Sequence, residues 1–152
     1  MTSARPSTNA RRIFAALAIL TALGVVLQGV WAGIFLSSDN RPDAWVHVHD
    51  IGAWVTTVLA AVTALWAIIA LRRDRPLVVG SILLVLLVAG EAHLGGMITD
   101  DGQDAITAIH VPLAMALLAL AVWLPVHALR ARKPVAVRAQ AEAEVEVEGV
   151  RS

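Results

Sequence analysis

Polar residues along this chain gather into short clusters, and the stretches between them are long and almost wholly apolar. Four stretches stand out, at 13–36, 45–71, 77–98 and 105–129. A bilayer core about 30 Å thick is crossed by about 20 mostly apolar helical residues, and each stretch meets that length. The pattern therefore predicts an all-α protein with four transmembrane helices. Arg11 and Arg12 before the first stretch give it the look of a secretory leader, but its apolar run is too long and no small-residue cleavage site follows cleanly. It is read as a retained span. Pro76 suits the first turn of the third helix, where a missing N–H costs nothing.

The charged clusters between the runs set an orientation. Arg5, Arg11 and Arg12 precede the first helix, Arg72, Arg73 and Arg75 lie between the second and third, and Arg130, Arg132, Lys133 and Arg138 follow the fourth. The other two loops hold Asp39, Asp43, Asp100, Asp101 and Asp104 against Arg41. Basic loops stay on the cytoplasmic side, so both termini are expected there, and the spans alternate without conflict. Loops this short favour antiparallel neighbours, hence an integral membrane up-down-up-down four-helix bundle. The expected division is a cytoplasmic N-terminus at 1–12, a transmembrane domain at 13–131 and a disordered cytoplasmic tail at 132–152, where Ala-Glu-Ala-Glu-Val-Glu-Val-Glu cannot bury a core.

Composition narrows the chemistry. Hydrophobic residues make up 58% of the chain, well above the globular norm, and the formal net charge of zero is a sum over separated clusters. The expected partner is the lipid bilayer, and nucleic acid has no place. Cysteine is absent, which excludes disulfides, thiolate zinc sites, iron–sulfur clusters and covalent haem attachment. Histidine is left as the strong soft-metal ligand. Of the twelve basic residues only Lys133 is lysine, a coding bias that hints at a GC-rich bacterial genome, and with four spans the expected location is the bacterial plasma membrane. No nucleotide-binding glycine loop, serine nucleophile motif or zinc-protease helix is present, so self-contained catalysis has no support; a role as an oxidoreductase component stays open.

Ionisable residues inside a span cost roughly 2.5–3.5 kcal/mol on insertion scales, so each asks for a reason. His47 and His49 open the second helix, Glu91 and His93 lie toward the outer end of the third, and His110 lies near the start of the fourth. His127, at the opposite end beside Arg130, is explained by snorkelling. Two positions on a helix are roughly 200° apart, so His47 and His49 cannot both face the bundle interior. The His49 face continues through Gly52, Ala53, Thr56 and Ala60, small residues on which a flat macrocycle could lie, whereas His47 shares its face with Ile51 and Trp54. Around His110, Ala114 and Ala121 keep one face shallow, and Leu113, Leu117 and Leu118 are candidates to pack on porphyrin edges. His49 with His110 is the preferred ligand pair for a bis-histidine haem, with His47 and His93 as further candidates. Glu91 and Gln28 lie at similar depth and are expected to face each other. Glu91 is a candidate partner for the spare nitrogen of a ligating histidine, or a proton relay. Gly29 and Gly33 on the first helix, and Gly90, Gly95 and Gly96 on the third, fit close helix approach and mark the faces for a homodimer.

These residues also form a recognisable set. The first helix reads Leu27-Gln-Gly-Val-Trp-Ala-Gly33, the second opens His49-Asp-Ile-Gly52, and the third and fourth read His93-Leu-Gly-Gly-Met-Ile98 and Ala108-Ile-His-Val-Pro-Leu-Ala114. Across residues 22–123 the chain resembles one four-helix half of the haem A synthase and cytochrome oxidase assembly membrane proteins. The resemblance implies haem b near the outer face, with His49 and His110 as ligands. It does not extend to a second set of histidines, so it implies haem binding rather than haem A synthesis. The function expected is electron transfer or a redox role, with a redox protein or a quinone as partner. Three other readings stand beside it. One is a cofactor-free accessory protein whose outer histidines bond loop aspartates. Another is a proton or ion conductor using Gln28, Glu91 and His93, and the last is a divalent metal site made of His47, His93 and aspartates.

Overall fold

The computed structural model describes residues 7–38, 42–99 and 101–130. They form four α-helices, α1 (Thr8–Leu36), α2 (Asp43–Ala70), α3 (Arg75–Thr99) and α4 (Thr107–Arg130), with one 3-10 turn, Asp104–Ile106, before α4. All four are long and apolar enough to cross a membrane. Arg5, Asp39, Arg41, Asp100, Arg132, Lys133 and Arg138, and the expected tail at 132–152, lie outside the described residues.

Helix ends do not coincide with the ends of the apolar stretches. α1 starts at Thr8 rather than 13, since the Ser7 hydroxyl accepts from the Ala10 N–H at 3.2 Å and so satisfies one orphan donor of the first turn. Residues 8–12 thus belong to the first helix. α3 begins at Arg75 with Pro76 in its first turn, as expected, and the Asp74 carbonyl accepts from Val78 N–H at 3.1 Å. Gly102, at φ +66°, takes the left-handed conformation that lets the chain reverse between α3 and α4. Pro112 and Pro125 sit inside α4, which continues through both.

Each helix packs on two others: α1 on α2 and α4, and α3 on α2 and α4. Among the described residues α1 does not approach α3, nor α2 approach α4, so these pairs are diagonal. Along α1 and α2 the contacts run in opposite numerical order. Trp66 Nε1 donates to the Ala10 carbonyl at 3.0 Å, the Thr21 and Thr63 hydroxyls meet at 3.2 Å, Gly24 faces Thr56, and Phe35 reaches His49. The buried interior is built largely of small residues, Ala15, Ala18, Ala60, Ala67, Ala121 and Ala128, with Phe14, Leu71, Leu77, Leu84 and Leu124 filling the gaps. Buried hydroxyls are satisfied locally, Thr56 by Gly52 O at 2.7 Å and Ser81 by Leu77 O at 2.6 Å. The outward faces carry large apolar side chains, such as Trp54 at 75% and Met115 at 70% exposure. This inverts the pattern of a soluble bundle, which keeps its charged residues outside and its large apolar ones within.

At one end, Asp74 in the α2–α3 turn ties three elements together. It pairs with Arg11 of α1, faces His127 Nε2 of α4 at 3.9 Å, and places Oδ1 at 3.5 Å from the Leu77 N–H. His127 also stacks on Trp123, ring centroids 4.7 Å apart. It is therefore held by neighbours and does not simply reach toward water.

A polar cluster with one residue from each helix

Near the other end, four polar side chains enter the bundle interior, one from each helix: Gln28 of α1, His49 of α2, Glu91 of α3 and His110 of α4. They lie near one another. His49 faces the backbone of Gln28, His49 and His110 lie within electrostatic reach across the α2–α4 diagonal, and His110 Nδ1 approaches Glu91 Oε2 at 2.9 Å. Glu91 is buried at 7% exposure, and the other three are half-buried.

Helix geometry explains the convergence. On α1, Gln28, Trp31 and Phe35 share a face because positions three and four apart are neighbours. That face meets the start of α2: the Phe35 ring stands edge-on to the His49 imidazole, centroids 5.6 Å apart, while Gln28 and Trp31 press on Gly52. A Cβ at position 52 would come within 2.2 Å of Trp31 Cζ3 and 2.3 Å of Gln28 Nε2, so only glycine admits them. The small residues Gly52, Thr56 and Ala60 on the His49 face thus receive α1, and Gly52 offers no open surface to a macrocycle in this arrangement. On the other side His110 rests against α3. A Cβ added to Gly95 would meet His110 Cε1 only at 3.7 Å, an ordinary contact, and Ala114, one turn along α4 from His110, is half-buried.

The electrostatics of the cluster are unusual. Six buried side-chain polar atoms among the described residues lack a hydrogen-bond partner; Arg11 Nη1 is one, and the other five are Gln28 Nε2 and Oε1, His49 Nδ1, Glu91 Oε1 and His110 Nδ1. A buried group without a partner costs about 1–3 kcal/mol, so five at one place call for a ligand or another explanation. The 2.9 Å approach of Glu91 to His110 is close enough for a hydrogen bond but not aligned with the Nδ1–H direction, so that nitrogen remains without a partner. Gln28 and Glu91, expected to face each other, do not bond to one another; each turns to a histidine-bearing neighbour.

The remaining candidates fall elsewhere. His47 is exposed in the first turn of α2, on the side of the helix away from His49. His93 is exposed on α3 and lines a pocket with Ala92, Gly96, Met97 and Asp101, apart from the His49–His110 pair. Around His110, Leu117 and Ala121 are buried and Leu118 is half-buried. Phe35 and Asp74 were not singled out from the sequence, and Trp31 entered only within the first-helix motif; the spacing of Trp31 and Phe35 from Gln28 was the available signal.

Two imidazoles on diagonal helices are a residue pair of the kind that can hold haem iron, and the Nδ1 atoms of both are without a hydrogen-bond partner. Among the described residues no group of three or more His, Cys, Asp or Glu is arranged to hold a metal ion, so a closed zinc-type cage has no support there. Comparison with family models, with curated proteins and with solved structures finds no match.

Proposed function

We propose that this chain is a small haem b-binding protein of the bacterial plasma membrane, with a redox role. In this reading the helices cross the bilayer in up-down-up-down order with both termini cytoplasmic, following Arg72, Arg73, Arg75 and Arg130 and the acidic Asp101 and Asp104. The outward apolar faces of all four helices support burial in lipid. His49 and His110 are the residues that would hold the haem iron. The observation that carries the proposal is the convergence of Gln28, His49, Glu91 and His110, one per helix, with five buried polar atoms unpartnered.

Haem bound there would supply a one-electron redox centre. The chain's own groups position it. Glu91 lies 2.9 Å from Nδ1 of His110, and a small rotation of either side chain would align that N–H with the carboxylate and leave Nε2 as the nitrogen that would hold haem iron. Phe35 and Trp31 wall the His49 side, and the ring contact with Phe35 limits rotation of that imidazole. Gln28 supplies a donor and an acceptor beside them.

The test is a dithionite-reduced minus oxidised absorption spectrum of the protein purified after expression with ample haem. A sharp b-type difference band is expected, lost in His110→Ala and in His49→Ala but retained in His47→Ala. A flat spectrum from the unaltered protein would overturn the proposal and leave a cofactor-free accessory protein as the better reading.

A further inference from the structure

The last turns of α3 carry a second set of donor atoms that the haem reading does not use. His93 and Met97 are four residues apart on α3, so they project from one face. Both line a pocket of about 290 Å³ together with Ala92, Gly96 and Asp101. Asp101 lies beyond the helix and reaches this pocket because the chain turns back on itself. Gly102 takes φ +66°, and the Gln103 N–H donates to the Met97 carbonyl at 3.1 Å, which holds the loop over the end of α3. Ala92 and Gly96 keep the wall between the donors low. Among the described residues neither His93 nor Asp101 is engaged in an ion pair or a hydrogen bond, so both are free to bind.

We propose that this pocket binds a soft monovalent metal ion of the copper(I) class, with the His93 imidazole and the Met97 thioether as ligands and Asp101 as the counter-charge. The donor types decide the ion. A thioether is a poor ligand for hard or strongly hydrated cations but selects copper(I), and imidazole suits copper as well. Charge points the same way: one carboxylate neutralises a monovalent ion, whereas a divalent ion would leave excess positive charge beside an apolar helix end. His47, the other histidine considered for a metal, is on α2 and does not line the pocket. The volume is several times the roughly 30 Å³ share of one water molecule. An ion held at the edge of such an open space keeps a face free for an incoming or departing ligand, so the site suits exchange with a metal donor or acceptor. This inference does not depend on haem.

The experiment is competition of the purified full chain in detergent against a colorimetric copper(I) chelator under anaerobic conditions. The unaltered protein is expected to withdraw one equivalent of copper(I). Met97→Leu, which conserves volume, and His93→Ala are each expected to weaken binding by at least about tenfold. Met115→Leu, at an outward-facing methionine, and His47→Ala are expected to bind as the unaltered protein does. Failure of the unaltered protein to compete, or equal binding by Met97→Leu and His93→Ala, would overturn the proposal. So would loss of copper in His49→Ala or His110→Ala with full binding by Met97→Leu, which would put the ion in the bundle interior. The same His49 and His110 variants read out haem by their absorption spectra, so the two proposals stand or fall separately.

Discussion

At the level of single residues, the four polar side chains of the interior were legible in the sequence because lipid-crossing helices tolerate so few of them. Gln28, His49, Glu91 and His110 each interrupt an apolar run. What the sequence did not carry was the partner of each, since that depends on how the helices rotate against one another. Gly52 illustrates the difference. Its place on the His49 face suggested room for a flat ligand, whereas the structure fills that room with Gln28 and Trp31. A prediction follows for glycine substitutions. Gly52→Ala forces at least the Trp31 ring to move and is expected to destabilise the fold by roughly 1–3 kcal/mol, the usual cost of overpacking. Gly29→Ala, where an added Cβ meets nothing within 4 Å, is expected to be neutral or to stabilise α1 by up to about 1 kcal/mol through helix propensity. Unfolding of both variants in mild detergent checks the pair; equal stability of the two would show that α1 does not rest on Gly52.

At the level of helices, existence and number were legible and ends were not. Hydropathy marks the lipid-sized core of a helix, while capping and ion pairs decide where it starts. Arg11 was read as a flanking charge, but it lies inside α1 and is tied to Asp74, a residue with no signal in the apolar pattern. Asp74 joins α1, the start of α3 and His127 of α4, so it acts on three helices at once. Asp74→Ala removes the partner of Arg11, whose Nη1 is already without one, and is expected to lower stability by about 1–3 kcal/mol. Asp74→Asn keeps an acceptor for the Leu77 N–H and for Arg11 and should recover part of that loss. Thermal denaturation followed by circular dichroism measures both. Equal loss in the two variants would mean that the charge, and not the hydrogen bonds, holds this end together.

At the level of the whole molecule, orientation is the property on which the proposed function rests, because in that proposal it puts His49 and His110 near the outer surface and Asp74 near the inner one. The absence of cysteine makes it directly measurable, since a single introduced cysteine is the sole thiol in the chain. Arg72, in the α2–α3 turn, and Gln103, between α3 and α4, are both exposed and lie on either side of α3 in sequence. If α3 crosses the bilayer with the basic turn inside, Gln103→Cys reacts with a membrane-impermeant maleimide in intact cells, and Arg72→Cys reacts only after permeabilisation. Labelling of both from the same side would remove the alternating arrangement and with it the outer-face haem. Labelling in the reversed order would keep the bundle but turn the polar cluster toward the cytoplasm. A redox partner would then have to be sought there, and the pocket at His93 and Met97 would exchange its ion with the cell interior.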